Sequence, residues 1–362
     1  MPNKLLLAAL LTFAITGVAL FATAQQTTPT KRTTLAGAPI PIIFDTDMGP
    51  DYDDVGAITI LHAFADSGKC NILATMASNR YEGVAAVLNT FNTYFHRPGI
   101  PIGVPGRPSS ELRSSPQLAP IHRVRSDAPD IRDTQHWTDS ILAVYPHAIR
   151  RNADAEDAVT LYRKILARQP DHSVVVVTVG FQSNLAGLLA SKPDKNSPLD
   201  GPALIAQKVQ RLVCMAGAFP HGNEFNVNRD IPAAQAVAKD WPTIVIYSGF
   251  EIGKRIKTGL PLINNEAIRH SPVKDVFRIG IAQSAEDTAG RMSWDETAVL
   301  VALAGHAPWY TLQHGQMRIE GDGSNTWVNS TGEQGRRAYL IEAVPPATVQ
   351  NLIDRLIMHQ PK

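Results

Sequence analysis

Two cysteines in 362 residues leave no room for a disulfide framework. Cys214 sits inside the apolar segment RLVCMAGAF, where a buried free thiol is common, so it and Cys70 are expected to be unpaired. Neither sign of charge dominates, because 34 Lys and Arg stand against 33 Asp and Glu, a formal +1. With no run of basic residues there is no footprint for nucleic acid or for an acidic lipid surface, and a small molecule is the expected partner. No internal repeat and no low-complexity block occurs. What remains is core-forming: 44% hydrophobic against 19% charged residues is enough for one large globular domain or two small ones, and too apolar for disorder in the bulk.

The chain opens MPNKLLLAALLTFAITGVALFATAQQ. Lys4, an apolar stretch from Leu5 to Phe21, and the small residues Ala22 and Ala24 have the layout of a cleavable export signal. The alternative is an uncleaved anchor, for which the apolar run is near the lower length of a membrane span. The expected organisation is a signal peptide at 1–24, a polar linker at 25–38 and one domain at 39–362, periplasmic or secreted and free of the membrane after cleavage.

Beyond the linker, apolar runs alternate with segments of helical period. IPIIFDTD, CNILATMAS, SVVVVTVG, RLVCMAGAF and TIVIYSG read as strands, and DDVGAITILHAFAD, VAAVLNTFNTYF, SNLAGLLAS and AAQAVAKDW as helices. Continuous apolar strands joined by helices predict an α/β fold with an open, mostly parallel sheet buried on both faces. Residues 104–150 turn to Pro, Ser, His and Arg and suit an insertion over one end of the sheet. Near the end, YTLQHGQMRIEGDGSNTWVNS reads as a hairpin about GDGS, and PATVQNLIDRLIMHQ as a closing helix.

Residues 42–54, IIFDTDMGPDYDD, place five aspartates and no basic residue at the tip of the first strand. The crevice of an open parallel sheet lies beyond the carboxyl ends of its strands. Asp45 and Asp47 share one side of the strand, while Asp53 and Asp54 open the next helix, whose positive end favours each anion by about 0.3–1 kcal/mol. Carboxylates about 4 Å apart repel by about 4 kcal/mol at an effective dielectric near 20, so a bound cation or protonation of some of them is required. All-oxygen ligands favour Ca²⁺ or Mg²⁺ over zinc. An EF-hand does not fit in register from Asp45 or Asp47. DTDMG does satisfy the start of a haloacid dehalogenase phosphatase, but that leaves DYDD unexplained.

The stretch DTDMGPDYDDVGAI resembles the signature of the calcium-dependent nucleoside hydrolases that prefer inosine and uridine, with a gap two residues longer than their shortest form and Asp51 inside it. TVGFQSNLA at 178–186, MAGAFPHGNEFN at 215–226, SGFEIGKRIKTG at 248–259 and SWDETAVL at 293–300 agree in order, so the resemblance covers nearly everything from residue 40 onward. It implies a Rossmann-type nucleoside hydrolase-like domain that cleaves the N-glycosidic bond of ribonucleosides to base and ribose. It implies that Asp47, Asp54, Asp295 and the main-chain oxygen of Ser183 bind Ca²⁺, with Asp45 behind them. Asp53 matches the general base that takes a proton from a calcium-held water. Glu224 and Asn226 match ribose contacts, Asn223 matches another, and Asn79 and Met215 are expected in the pocket.

One position departs from the best-known members, which carry His directly before the last metal-binding Asp, placed to protonate a leaving purine. Trp294 stands there instead. Tryptophan is no acid at neutral pH, but it can stack on a base or form a pocket wall. His221 is the nearest replacement acid, although a lone loop histidine is more often a surface residue. Two other readings stay open: a metal-dependent phosphatase with Asp45 as nucleophile, and a catalytically silent nucleoside- or sugar-binding protein. A homo-oligomer is compatible with the sequence and not specified by it.

Overall fold

The structure, a computed structural model, describes residues 38–106, 128–330 and 335–362. The signal peptide expected at 1–24 and nearly all of the linker lie outside the described residues. The described residues form one compact unit.

Thirteen strands are described: β1 (Ile40–Thr46), β2 (Cys70–Ala77), β3 (Ile102–Val104), β4 (Glu156–Asp157), β5 (Val174–Thr178), β6 (Val209–Met215), β7 (His221–Gly222), β8 (Ile244–Ser248), β9 (Lys257–Thr258), β10 (Arg291–Met292), β11 (Tyr310–Ile319), β12 (Asn325–Asn329) and β13 (Arg337–Glu342). Eleven of them make one sheet in the order β4-β3-β2-β1-β5-β6-β8-β13-β11-β12-β7, and β9 pairs with β10 apart from it. Pairing is parallel from β4 to β13 and antiparallel from β13 through β11 and β12 to β7. The open, mostly parallel sheet and the C-terminal hairpin therefore stand as the sequence pattern predicts.

Alternation along the central strands fills two cores. Ile42, Phe44, Val175, Val177 and Val213 face one side, while Ile43, Val174, Val176, Leu212 and Cys214 face the other. Burial of both faces is what the unbroken apolar runs required. Cys70 and Cys214 are both buried and free.

From β1 the strands progress outward in both directions, through β2 to β4 on one side and through β5, β6 and β8 on the other. The β1/β5 boundary is thus a topological switch point, the place where an open α/β sheet leaves a crevice. Three helices start at this edge: α1 (Asp53–Asp66), α2 (Ser183–Ala190) and α3 (Trp294–Ala304). Along α1 every residue from Asp53 to His62 is buried, the mark of a helix enclosed between other elements. Within the expected insertion a helix spans Trp137–Val144, and residues 107–127 lie outside the described residues.

Candidate active site

The end of β1 is fastened on both sides. Ser78 N–H donates to Thr46 O and Val179 N–H to Asp45 O, each at 2.8 Å. Two glycines permit the close approach. Gly49 adopts φ +140°, and a Cβ there would lie 2.5 Å from Tyr81 Cε1; at Gly180 it would lie 2.3 Å from the Asp47 nitrogen.

Asp45 turns away from the cleft and is fully buried. Its Oδ2 accepts from the Tyr162 hydroxyl at 2.8 Å, and both oxygens accept from Asn184 Nδ2 at 3.2 Å. Burial pushes its pKa up to about 7 against the pull of these donors. A carboxylate so enclosed supports the strand end and has no access to a substrate, which removes the nucleophile that the phosphatase reading needs.

A cleft of about 280 Å³ opens at the switch point, and Asp47, Asp51, Asp53, Glu224 and Asp295 contribute to its wall. Burial, then repulsion from neighbouring carboxylates, holds the Asp47, Asp54 and Asp295 carboxyls well above the usual carboxylate range. Asp54 lies just beneath, with Oδ1 accepting from Thr46 Oγ1 and Oδ2 buried without a partner. Ser183 begins α2 at the end of β5, and its hydroxyl donates to Asp230.

Part of the counter-charge comes from far along the chain. Arg291, on β10, donates from Nε and Nη2 to Asp53 Oδ1 at 3.1 and 2.8 Å, and from Nη2 to Asp51 as well. Its Nη1 stands 3.9 Å from Asp287, which accepts a hydrogen bond from the Tyr52 hydroxyl. Burial opposes the guanidinium charge, but Asp53 and Asp51 outweigh it and hold the group more firmly protonated than usual. Asp53 Oδ2 accepts from the backbone N–H groups of Trp294 and Asp295, so both of its oxygens are engaged. Burial and Asp51 still lift the Asp53 pKa to about 7 against Arg291. Sequence reasoning missed Arg291. Its one local signal is a basic residue three positions before Trp294 in GRMSWDET.

The sugar-side residues divide. Glu224 caps the helix Phe225–Arg229, accepting from Asn226 N at 2.7 Å and from Val227 N and Gly217 N at 3.1 Å. Burial raises its pKa to about 7 against these donors. Asn226 Nδ2 donates to Val179 O and Met215 O, at 3.1 and 3.2 Å, and both Asn226 and Met215 line the cleft. Asn223 is exposed and does not line it. Asn79 does not either: fully buried, it donates to Asp47 O and Ile131 O and accepts from Tyr81 N and Ile131 N, so its amide is spent clamping backbone.

Trp294 forms the opposite wall. Its Nε1 donates to Phe250 O at 2.7 Å, its ring stacks on Phe250 with centroids 5.2 Å apart, and the Arg291 guanidinium lies 5.2 Å from its centroid. His221 is exposed on β7 and does not line the cleft. The described lining residues include no histidine, lysine, cysteine or tyrosine.

The donor set available for a cation is all oxygen, and the unpartnered Asp54 Oδ2 beside the crowded carboxyls of Asp47 and Asp295 suits a hard ion. Among the described residues, no three His, Cys, Asp or Glu side chains are arranged to hold a metal as they stand.

Carboxylates from three distant segments thus meet in the switch-point cleft of an open α/β sheet, the place where such sheets bind small ligands. The chain belongs to the inosine-uridine preferring nucleoside hydrolase family, whose sequence profile matches residues 42–350, and its members act on N-glycosyl compounds. Similar solved structures include a plant nucleoside hydrolase, 18% identical over 88% of this chain and 99% of that one, with a TM-score of 0.62. The purine-preferring ribonucleoside hydrolase from Gardnerella vaginalis is 16% identical over 88% and 98%, also with 0.62. The type III effector protein XopQ, solved with adenosine diphosphate ribose, is 15% identical over 88% and 94%, with 0.61. At these identities the likeness speaks for the fold. No sequence among the curated proteins matches the chain.

Proposed function

We propose that the cleft hydrolyses the N-glycosidic bond of a ribonucleoside or related riboside, with Asp47, Asp54, Asp295 and the Ser183 carbonyl holding Ca²⁺. One observation carries the reading: Asp47 and Asp53 from the first acidic stretch and Asp295 from the start of α3 share a single small cleft with Glu224 and Asn226, the residue types that bind a sugar's hydroxyls. When bound, calcium lowers the pKa of a water it holds. Glycosidic cleavage builds positive charge on the sugar ring, and a wall of carboxylates stabilises that charge where it develops.

Two carboxylates can take the water's proton. Asp53 is the residue that the family resemblance designates, but its oxygens are committed to Arg291 and to the backbone of α3. Asp47 faces the cleft, and among the described residues no other side chain donates to its carboxylate, which favours it as the acceptor. In that arrangement Asp53 orients Arg291 and the start of α3.

The test is product. A panel of ribonucleosides should release free ribose, and a chelator should stop the release; phosphate from esters, or binding without product, would replace this reading. Removing a positioned base lowers turnover by about 10²–10⁴. Whichever of Asp47→Asn and Asp53→Asn shows that loss with both substrate and calcium affinity kept identifies the base. Export belongs to the same reading and is tested by sequencing the N-terminus of the mature chain, which should begin near Gln25.

A further inference from the structure

We infer that the preferred substrates of this cleft are cationic N-ribosides of the pyridinium type, whose leaving group departs as a neutral heterocycle. The inference rests on the hydrolase reading above and adds the substrate's charge. Three observations carry it.

First, charge is lopsided. Asp47, Asp51, Asp53, Glu224, Glu286 and Asp295 line the cleft against one guanidinium, Arg291, which is already matched by Asp51, Asp53 and Asp287. Even a bound divalent cation leaves such a wall formally negative. A neutral nucleoside would have to expel its base as an anion into that field, or find a proton for it.

Second, a donor for that proton is hard to find. Trp294 stands where an acid would, His221 is outside, and the described lining offers only carboxyls and the Arg291 guanidinium as ionisable groups. Of those carboxyls, Asp53 and Glu224 have both oxygens taken by N–H donors, and Asp47 and Asp295 are assigned to the cation. Arginine stays protonated and cannot act as the acid.

Third, the aromatic wall receives cations. Each of its three rings already carries one over its face: Arg291 at 5.2 Å from Trp294, Lys254 at 5.3 Å from Phe250 and Arg229 at 4.6 Å from Phe225. Lys254 and Arg229 are exposed side chains that do not line the cleft, so a planar cation entering it would compete only with solvated charges for the Phe250 and Phe225 rings.

The chemistry balances without an acid. The C1′–N bond breaks with its electron pair passing to the ring nitrogen, so a pyridinium becomes a neutral pyridine. A water oxygen bonds C1′ and loses one proton to a carboxylate. The products are ribose, the neutral heterocycle and a proton, and no oxidant or reductant enters.

The probes are nicotinamide riboside, its neutral dihydro form, uridine and nitrophenyl riboside, assayed with the calcium-loaded chain. The cation should give the highest kcat/KM of the four. Its KM should lie about tenfold or more below the inhibition constant of the dihydro form, a molecule of the same shape without the charge. That advantage should shrink with added salt and in Glu286→Gln, a change at an exposed rim residue with no core to disturb. Equal binding of charged and dihydro forms, or a preference indifferent to salt, overturns the inference and leaves the hydrolase reading standing. Faster cleavage of uridine than of the pyridinium riboside overturns it too. If none of the ribosides, nitrophenyl riboside included, is cleaved, the hydrolase reading itself falls and this inference with it.

Discussion

Arg291→Met removes the guanidinium and keeps most of the aliphatic stem. The parent side chain is 12% exposed and its partner Asp53 only 2%, so the variant strands a carboxyl in a nearly dry place. Two contributions to the loss can be separated. The cation over Trp294 and Tyr52, with its packing, is worth about 1–2 kcal/mol at any pH. The stranded carboxyl adds a pH-dependent part. With Arg291 present, Asp53 titrates at about 7 in the folded protein. Without it the folded pKa rises further, so above pH 7 the folded variant holds a proton that the folded parent has released. Its stability therefore falls relative to the parent by about 1.4 kcal/mol for each pH unit above 7, until the variant's own pKa is reached. At pH 9 the two parts come to about 4 kcal/mol, within the roughly 3–5 kcal/mol typical of breaking a buried ion pair. Urea unfolding of both chelator-treated proteins at pH 6, 7, 8 and 9 measures this. A difference that stays flat across the series, or shrinks as pH rises, would refute the assignment of Arg291 as the counter-ion of the acidic cleft.

Asp54→Ala or Asp295→Ala should abolish calcium binding, each removing a hard anionic ligand; calorimetry giving parental affinity in both variants counts against the proposed ligand set. Asn79→Ala should cost about 2–4 kcal/mol of stability, because Asp47 O, Ile131 O and Ile131 N lose their partner. A raised KM with stability intact would instead return Asn79 to the substrate. For the calcium-free protein, Asp45 and Glu224 both titrate at about 7 when folded, well above their unfolded values near 4, so the folded state binds more protons across that window. Stability should fall as pH rises from about 4 through about 7, with the raised carboxyls of Asp47, Asp54 and Asp295 adding to the fall, and a urea midpoint that climbs over the same range would contradict the burial of these carboxyls.

Local pattern determined much of this protein. Unbroken apolar runs marked the central strands, and the stretch DDVGAITILHAFAD marked α1 to the residue, because burial on both sides of a sheet writes itself into consecutive positions. The crowding of five aspartates in thirteen residues announced an electrostatic demand, since like charges persist only where something offsets them. What the sequence by itself could not decide is which groups meet. Asn79 followed a predicted strand and looked like a pocket residue, yet the fold turned its amide onto the backbone of Asp47 and Ile131, contacts that no local spacing encodes. Arg291 lies 238 positions from Asp53, and only the packing of α3 against α1, with β10 just ahead of α3, delivers its guanidinium to the acid stretch. Periodicity is a one-dimensional record of burial and survives in the sequence; charge pairing across hundreds of residues depends on distance in space, which tertiary structure alone sets.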